Sequence, residues 1–97
     1  MPFRDALDLN QHFMDHGADL LVLTAAEYEA KAESFLNGPK SASTLECQRR
    51  QGGRARFDQV TQEYGSVRGD GTIATYFIPD PAIHGFASNL DYYYARC

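Results

Sequence analysis

Apolar positions recur at helical spacing in the first 37 residues and shift to strand-like alternation after residue 44. Leu9 and Phe13 stand four apart, as do His12 and His16, which predicts an opening helix that Gly17 stops. Residues 18–23 (Ala-Asp-Leu-Leu-Val-Leu) form a short apolar connection expected to pack under the next helix. Thr24-Ala25-Ala26-Glu27 spells a capping box, in which hydroxyl and carboxylate each satisfy the other residue's free amide. Behind it Tyr28, Ala32, Phe35 and Leu36 share one face, while Glu29, Lys31 and Glu33 point away. Asn37-Gly38-Pro39 ends this second helix, and Lys40–Ser43 is a surface connection.

Four strands are predicted next, at Thr44–Arg50, Arg54–Val60, Glu63–Arg68 and Thr72–Ile78. Gln51-Gly52-Gly53, Thr61-Gln62 and Gly69-Asp70-Gly71 separate them as hairpin connections. With Ala55 and Phe57 facing inward, Arg54, Arg56 and Asp58 turn to the opposite face. The fourth strand is apolar on both faces, so it is expected to be central or covered on each side. Pro79-Asp80-Pro81 stops it, and the aromatic tail (Phe86, Leu90, Tyr92, Tyr93, Tyr94) is expected to lie over the sheet as a lid. The expected architecture is α+β, two N-terminal helices on a four-stranded antiparallel sheet, as a single domain over residues 1–97.

A chain of 97 residues and 10.8 kDa affords one modest core, and no apolar run reaches the ~18–20 residues that cross a bilayer. The opening Met-Pro-Phe-Arg-Asp-Ala carries charge early and no apolar stretch, so no secretory signal is expected there. Cys47 and Cys97 are too few for a disulfide scaffold and wrongly spaced for zinc, and neither carries a local signature of reactivity. Residues 1–48 hold eight acidic against three basic side chains, a balance of −5, and residues 49–97 hold five against six, a balance of +1. Within 49–68 five arginines (Arg49, Arg50, Arg54, Arg56, Arg68) face only Asp58 and Glu63. A net charge of −4 excludes a general nucleic-acid coat, but guanidinium forks in such a cluster suit one or two phosphates.

His12 and His16 share a helical face, and His16 lies in the last turn, where the dipole favours imidazolium. Thr75 is expected on the side of Ile73 and Phe77, a hydroxyl among apolar neighbours that either bonds locally or donates to a phosphate; Tyr76, on the adjoining face, has the same ambiguity. His84 and the tail tyrosines suit base stacking as well as a lid. Arg68-Gly69-Asp70 is explained by its hairpin turn. Each feature alone has an ordinary structural explanation. Together, histidines on a helix, arginines on a sheet face and a strand hydroxyl are the parts of metal-independent RNA cleavage, in which a base activates the 2′-hydroxyl, an acid protonates the leaving oxygen and cations stabilise the phosphorane charge.

An ordered series of short motifs extends the point: His12-Phe13-x2-His16-Gly17, Ala26-Glu27-Tyr28-x3-Ala32-x2-Phe35, Arg56-Phe57-Asp58, Glu63-Tyr64-Gly65, Asp70-Gly71-Thr72-Ile73, Thr75-Tyr76-Phe77, Pro79-Asp80-Pro81 and Ile83-His84-Gly85-x3-Asn89-Leu90-Asp91-Tyr92. Over about residues 10–94 the chain resembles the C-terminal toxin modules of bacterial polymorphic toxins, including contact-dependent inhibition proteins and phage relatives. These belong to the barnase, EndoU, colicin and RelE-like ribonuclease group. The resemblance implies a four-stranded antiparallel sheet under N-terminal helices, no metal or other cofactor, an RNA substrate that is often tRNA, and a cognate immunity protein. It also implies a secreted or delivered effector acting in the target-cell cytoplasm, monomeric or paired with that inhibitor.

On this basis His12, His16, Arg56 and Thr75 are the expected catalytic residues, and Arg49, Arg50, Arg54, Tyr76 and His84 the expected substrate-binding ones. A non-catalytic adaptor using the arginine face and tyrosine tail is the alternative. A metal-dependent hydrolase through His12, His16 and Asp8 or Asp15 is a third.

Overall fold

A computed structural model describes residues 2–97. The opening helix α1 (Ala6–His16) begins at Asp5, whose carboxylate accepts the Asp8 amide, and a 3₁₀ turn (Ala18–Leu20) follows it. Helix α2 (Ala25–Asn37) starts at Thr24 as expected, with Thr24 Oγ1 accepting the Glu27 amide, but Glu27 Oε1 accepts the Leu23 amide and the Thr24 hydroxyl in place of the expected Thr24 amide. Strands β1 (Thr44–Gln48), β2 (Arg54–Asp58), β3 (Tyr64–Val67) and β4 (Ile73–Phe77) form an antiparallel meander in that order. Two further helices follow, α3 (Pro81–His84) and α4 (Asn89–Arg96). The fold is therefore α+β, with helices packed against a four-stranded antiparallel sheet. No helix among the described residues is long and apolar enough to cross a membrane.

The alternation of β2 decides what each face of the sheet meets. One face carries Val67, Ile73 and Tyr76, which close a core with Phe3, Leu9, Leu20, Tyr28, Ala32 and Leu36 beneath α1 and α2. Gly65 permits the close approach of α2, since a Cβ there would lie 2.9 Å from Leu36 Cδ2. The other face carries Ala55, Phe57 and Tyr64, which pack against Tyr93 of α4. The tail thus covers the second face, and it does so as a helix: Ser88 Oγ caps it by accepting the Asp91 amide at 3.1 Å.

Several expectations need correction. The strands are one or two residues shorter at their ends than the alternation suggests, because turns take the flanks; Asp58 accepts the Val60 and Thr61 amides directly after β2. β4 is covered on both faces but is an edge strand, its rim bridged by Phe3 pairing with Ile73. A bulge at Ala74 lets Val67 pair with Ile73 while Ser66 pairs with Thr75, so Ile73 turns to the Tyr76 side and away from Thr75 and Phe77. Gly17 ends α1 as expected, its N–H donating to the Phe13 carbonyl at 2.8 Å from right-handed backbone, and the left-handed residue that follows is Leu21 (φ 59°). Of the apolar connection only Leu20 is buried, whereas Leu21 and Leu23 are 89% and 86% exposed.

Cys47 and Cys97 form a disulfide that closes a loop of 50 residues and ties the end of α4 to β1. Two cysteines too few for a scaffold are enough for one staple. Strand alternation sets Cys47 on the same face as Leu45, where α4 passes. Chain-entropy reasoning gives a loop of this length about 4 kcal/mol of stabilisation. Cys97→Ser should therefore lower the urea midpoint with the dithiothreitol-treated wild type matching it, as read by equilibrium unfolding; an unchanged midpoint would contradict a stapled α4.

Candidate active site

The fold separates the groups that sequence spacing grouped around one phosphodiester. Arg56 faces the C-terminal end of α2. Its Nε donates to Glu46 Oε1 at 2.8 Å, and Nη1 donates to the carbonyls of Phe35 at 3.0 Å and Gly38 at 2.8 Å. Arg54 repeats the arrangement, donating to the Leu36 carbonyl and Asn37 Oδ1. A helix C-terminus leaves carbonyls without partners and favours cations, so both guanidiniums serve as helix caps. The hydrogen bond from Arg56 holds the Glu46 carboxyl below its ordinary range, against the opposing effect of burial. Arg56 does not line the cleft that holds His16. Its expected role at the scissile phosphate, and that of Arg54 on the backbone, are corrected accordingly.

Tyr76 is also corrected. It is fully buried, its hydroxyl donates to the Glu63 carboxylate, and its carbonyl accepts the Tyr28 hydroxyl. Burial and then Glu63 push its phenol well above the ordinary tyrosine range, so it stays protonated and offers nothing to a substrate.

His16 is placed differently. Its ring lies 4.9 Å from Phe77 and lines a cleft of about 490 Å³ between the end of α1, the end of β4, α3 and α4. Phe77, Ile78, Ile83, His84 and Tyr92 supply its walls, with Asp15, Asp19 and Asp80 also lining it. Burial, and next the neighbouring His12, lower its pKa from 6.5 despite the raising effect of Asp15 and Asp19. The imidazole is therefore mostly neutral at pH 7, against the cation expected from the helix dipole alone. His12 stands behind it at 6.1 Å between ring centroids, held by Phe3 at 5.6 Å and by Asp8, whose Oδ1 is 3.4 Å from Nε2. It supports His16 but does not line the cleft. Among the described residues no three His, Cys, Asp or Glu side chains are grouped as metal ligands.

His84 lines the same cleft with both nitrogens engaged. Nδ1 accepts the Phe86 amide at 3.1 Å, and Nε2 lies 3.0 Å from Asn89 Oδ1. Because Asn89 Nδ2 donates to Gln62 Oε1 at 3.1 Å, its Oδ1 is the acceptor and His84 carries its proton on Nε2. Its ring lies 4.7 Å from Tyr92, which it helps to position.

Tyr92 links this cleft to a second concavity. Its ring meets Tyr64 edge-on at 5.3 Å, and the Arg96 guanidinium lies 4.4 Å above it. Arg96, Arg49, Arg50 and Tyr64 line a pocket of about 330 Å³ that contains no carboxylate among its lining residues. Arg49 Nη1 donates to the Val67 carbonyl at 3.2 Å, which steers its guanidinium, while Arg50 is exposed. Thr75 shares its sheet face with Phe77 and is half-buried beside its partner Ser66.

The structure thus brings His16, His84 and Tyr92 together, sets Arg49 and Arg50 beside them with Arg96, and places Arg54, Arg56 and Tyr76 elsewhere. Sequence reasoning missed Arg96. The available signal was Ser88-x2-Asp91, a helix start that puts Arg96 four residues after Tyr92 on one helical face. No family model matches the chain, and no curated protein matches it.

Arg56→Met should destabilise the domain by roughly 1–3 kcal/mol, because it leaves the Phe35 and Gly38 carbonyls at the end of α2 without their donor, while Glu46 keeps Arg54 and Lys40. Thermal unfolding reads that loss. A variant of wild-type stability would show that the capping bonds contribute little.

Proposed function

We propose that this chain is a metal-independent endoribonuclease toxin, with RNA bound across the α4 side of the sheet and tRNA the expected substrate. One observation carries the reading: a neutral imidazole lies in a cleft that adjoins, through Tyr92, a pocket of three arginines. The α+β architecture also agrees with what the resemblance to polymorphic-toxin ribonucleases implies. His16 takes the proton of the 2′-hydroxyl. The resulting 2′-oxygen attacks phosphorus, the bond to the 5′-oxygen breaks, and the departing oxygen receives a proton from Tyr92. The products are a 2′,3′-cyclic phosphate and a 5′-hydroxyl end. Arg96, with Arg49 and Arg50, holds the phosphate charge on the side of Tyr92 away from the carboxylates; Thr75, expected to donate to a phosphate oxygen, lines neither concavity and has no part in this step. His12 keeps the His16 proton affinity low.

A secreted or delivered effector agrees with the Cys47–Cys97 disulfide, a bond favoured in oxidising compartments. The partner implied is an immunity protein covering the cleft. A second reading, a non-catalytic adaptor, is favoured by Asp15, Asp19 and Asp80 at the cleft, which oppose an incoming phosphate.

Purified protein incubated with total tRNA in EDTA should yield fragments ending in cyclic phosphate, and His16→Ala should slow the cut by about 10²–10⁴-fold. RNA left whole at every enzyme concentration would favour the adaptor. The pH profile gives an independent check. A base acts when deprotonated and its pKa is lowered here, so the acid limb of the rate should have its midpoint below 6.5. A midpoint above 6.5 would assign the base elsewhere.

A further inference from the structure

Gln62 adopts left-handed backbone (φ 69°) in the turn between β2 and β3, where glycine or asparagine is the ordinary choice. Its side chain supplies what glycine lacks. Nε2 donates to the Gln59 carbonyl at 2.8 Å, and Oε1 accepts from Asn89 Nδ2 at 3.1 Å. Asn89 is only 8% exposed, and its Oδ1 lies 3.0 Å from His84 Nε2. His84 Nδ1 in turn accepts the Phe86 amide at 3.1 Å.

The two ends of this chain decide its polarity. A main-chain carbonyl at Gln59 can only accept and a main-chain amide at Phe86 can only donate, so one arrangement of protons satisfies every link. Four hydrogen bonds from the β2–β3 turn through the start of α4 to the loop after α3 thus fix one tautomer and one orientation of the imidazole. Local stability does not demand this design. Glycine would relax the turn, and an apolar side chain at the buried start of α4 would need no partners. What the chain reaches is the cleft. His84 lines it with its ring 4.7 Å from Tyr92, and Phe86 meets Tyr92 edge-on at 6.1 Å.

We propose that Gln62 and Asn89 are positioning residues for the cleft. They hold His84 with its proton on Nε2 and, through the rings of His84 and Phe86, align Tyr92 for proton donation. Proton donation by Tyr92 rests on the nuclease reading, whereas the fixed imidazole stands without it.

Long-range ¹H–¹⁵N spectra of the imidazole nitrogens read the tautomer directly, without RNA. The wild-type protein should show His84 in the Nε2–H form alone. All variants are measured well below their thermal midpoints, so loss of folded protein does not enter. Gln62→Gly and Asn89→Leu should turn His84 into a mixture of tautomers and lower kcat on tRNA by about tenfold or more, with KM within about twofold. Asn89→Asp still offers an acceptor to Nε2–H, so it should keep the single tautomer and most of the rate. The proposal is overturned if the wild-type His84 is the Nδ1–H form or a mixture, or if Gln62→Gly leaves both tautomer and kcat unchanged. A rise in KM with kcat intact would overturn it too, by assigning these residues to binding. Uncut tRNA together with the expected tautomer changes would sink the nuclease reading and support the fixed imidazole.

Discussion

The C-terminal carbonyls of α2 meet two guanidiniums from β2, and the placement of the helical layer follows from that contact. Arginine at positions 54 and 56 puts two long cations on one face of a central strand, spaced to reach successive carbonyls of the last helical turn. Glu46, paired with Arg56 across β1 and β2, balances the charge and holds the fork in plane. The helix axis is thereby fixed at its end, and Tyr28, Ala32 and Leu36 drop onto β3 and β4. Gly65 completes the fit by leaving room for Leu36. Charges that sequence patterning assigns to a ligand are here spent on a helix end, where the alternative is unsatisfied carbonyls.

The second face of the sheet is organised by aromatic contact. Tyr93 stacks on Phe57 at 5.8 Å, while Tyr92 meets Tyr64 and Phe77 edge-on. A helix of eight residues is marginal by itself, so its position depends on these rings, the Ser88 cap and the disulfide. Burial and a neighbouring phenol raise Tyr93 to about 12, which keeps its ring neutral against Phe57 at any ordinary pH. The same helix carries Tyr92 and Arg96, so the histidine cleft and the arginine pocket share one support.

Helix and strand boundaries were largely legible because they depend on neighbours in the chain. The Thr24–Glu27 box, the Tyr28–Ala32–Leu36 stripe and the alternation around Ala55 and Phe57 all act within a few residues. α4 was equally local, through Ser88 and Asp91, and was hidden by the density of tyrosines that suggested a lid. The bulge at Ala74 was not legible: a one-residue slip turns Ile73 to the other face, and only pairing with β3 determines where it falls. Of the proposed site, His16, Arg49 and Arg50 were visible as residue types, whereas Arg96 entered only with α4.

By itself, then, the amino-acid order determined an α+β domain with two capped N-terminal helices, a four-strand meander and an acidic first half. Tertiary structure decided that Arg54 and Arg56 cap α2, that Tyr76 is sealed against Glu63, and that Cys47 reaches Cys97. It also decided that burial, and next His12, lower the proton affinity of His16 where the helix dipole alone would raise it. The physical reason is range. Caps, turns and amphipathic faces are set by groups a few residues apart, but the environment of a charge is set by whatever the folded chain brings within a few ångströms of it.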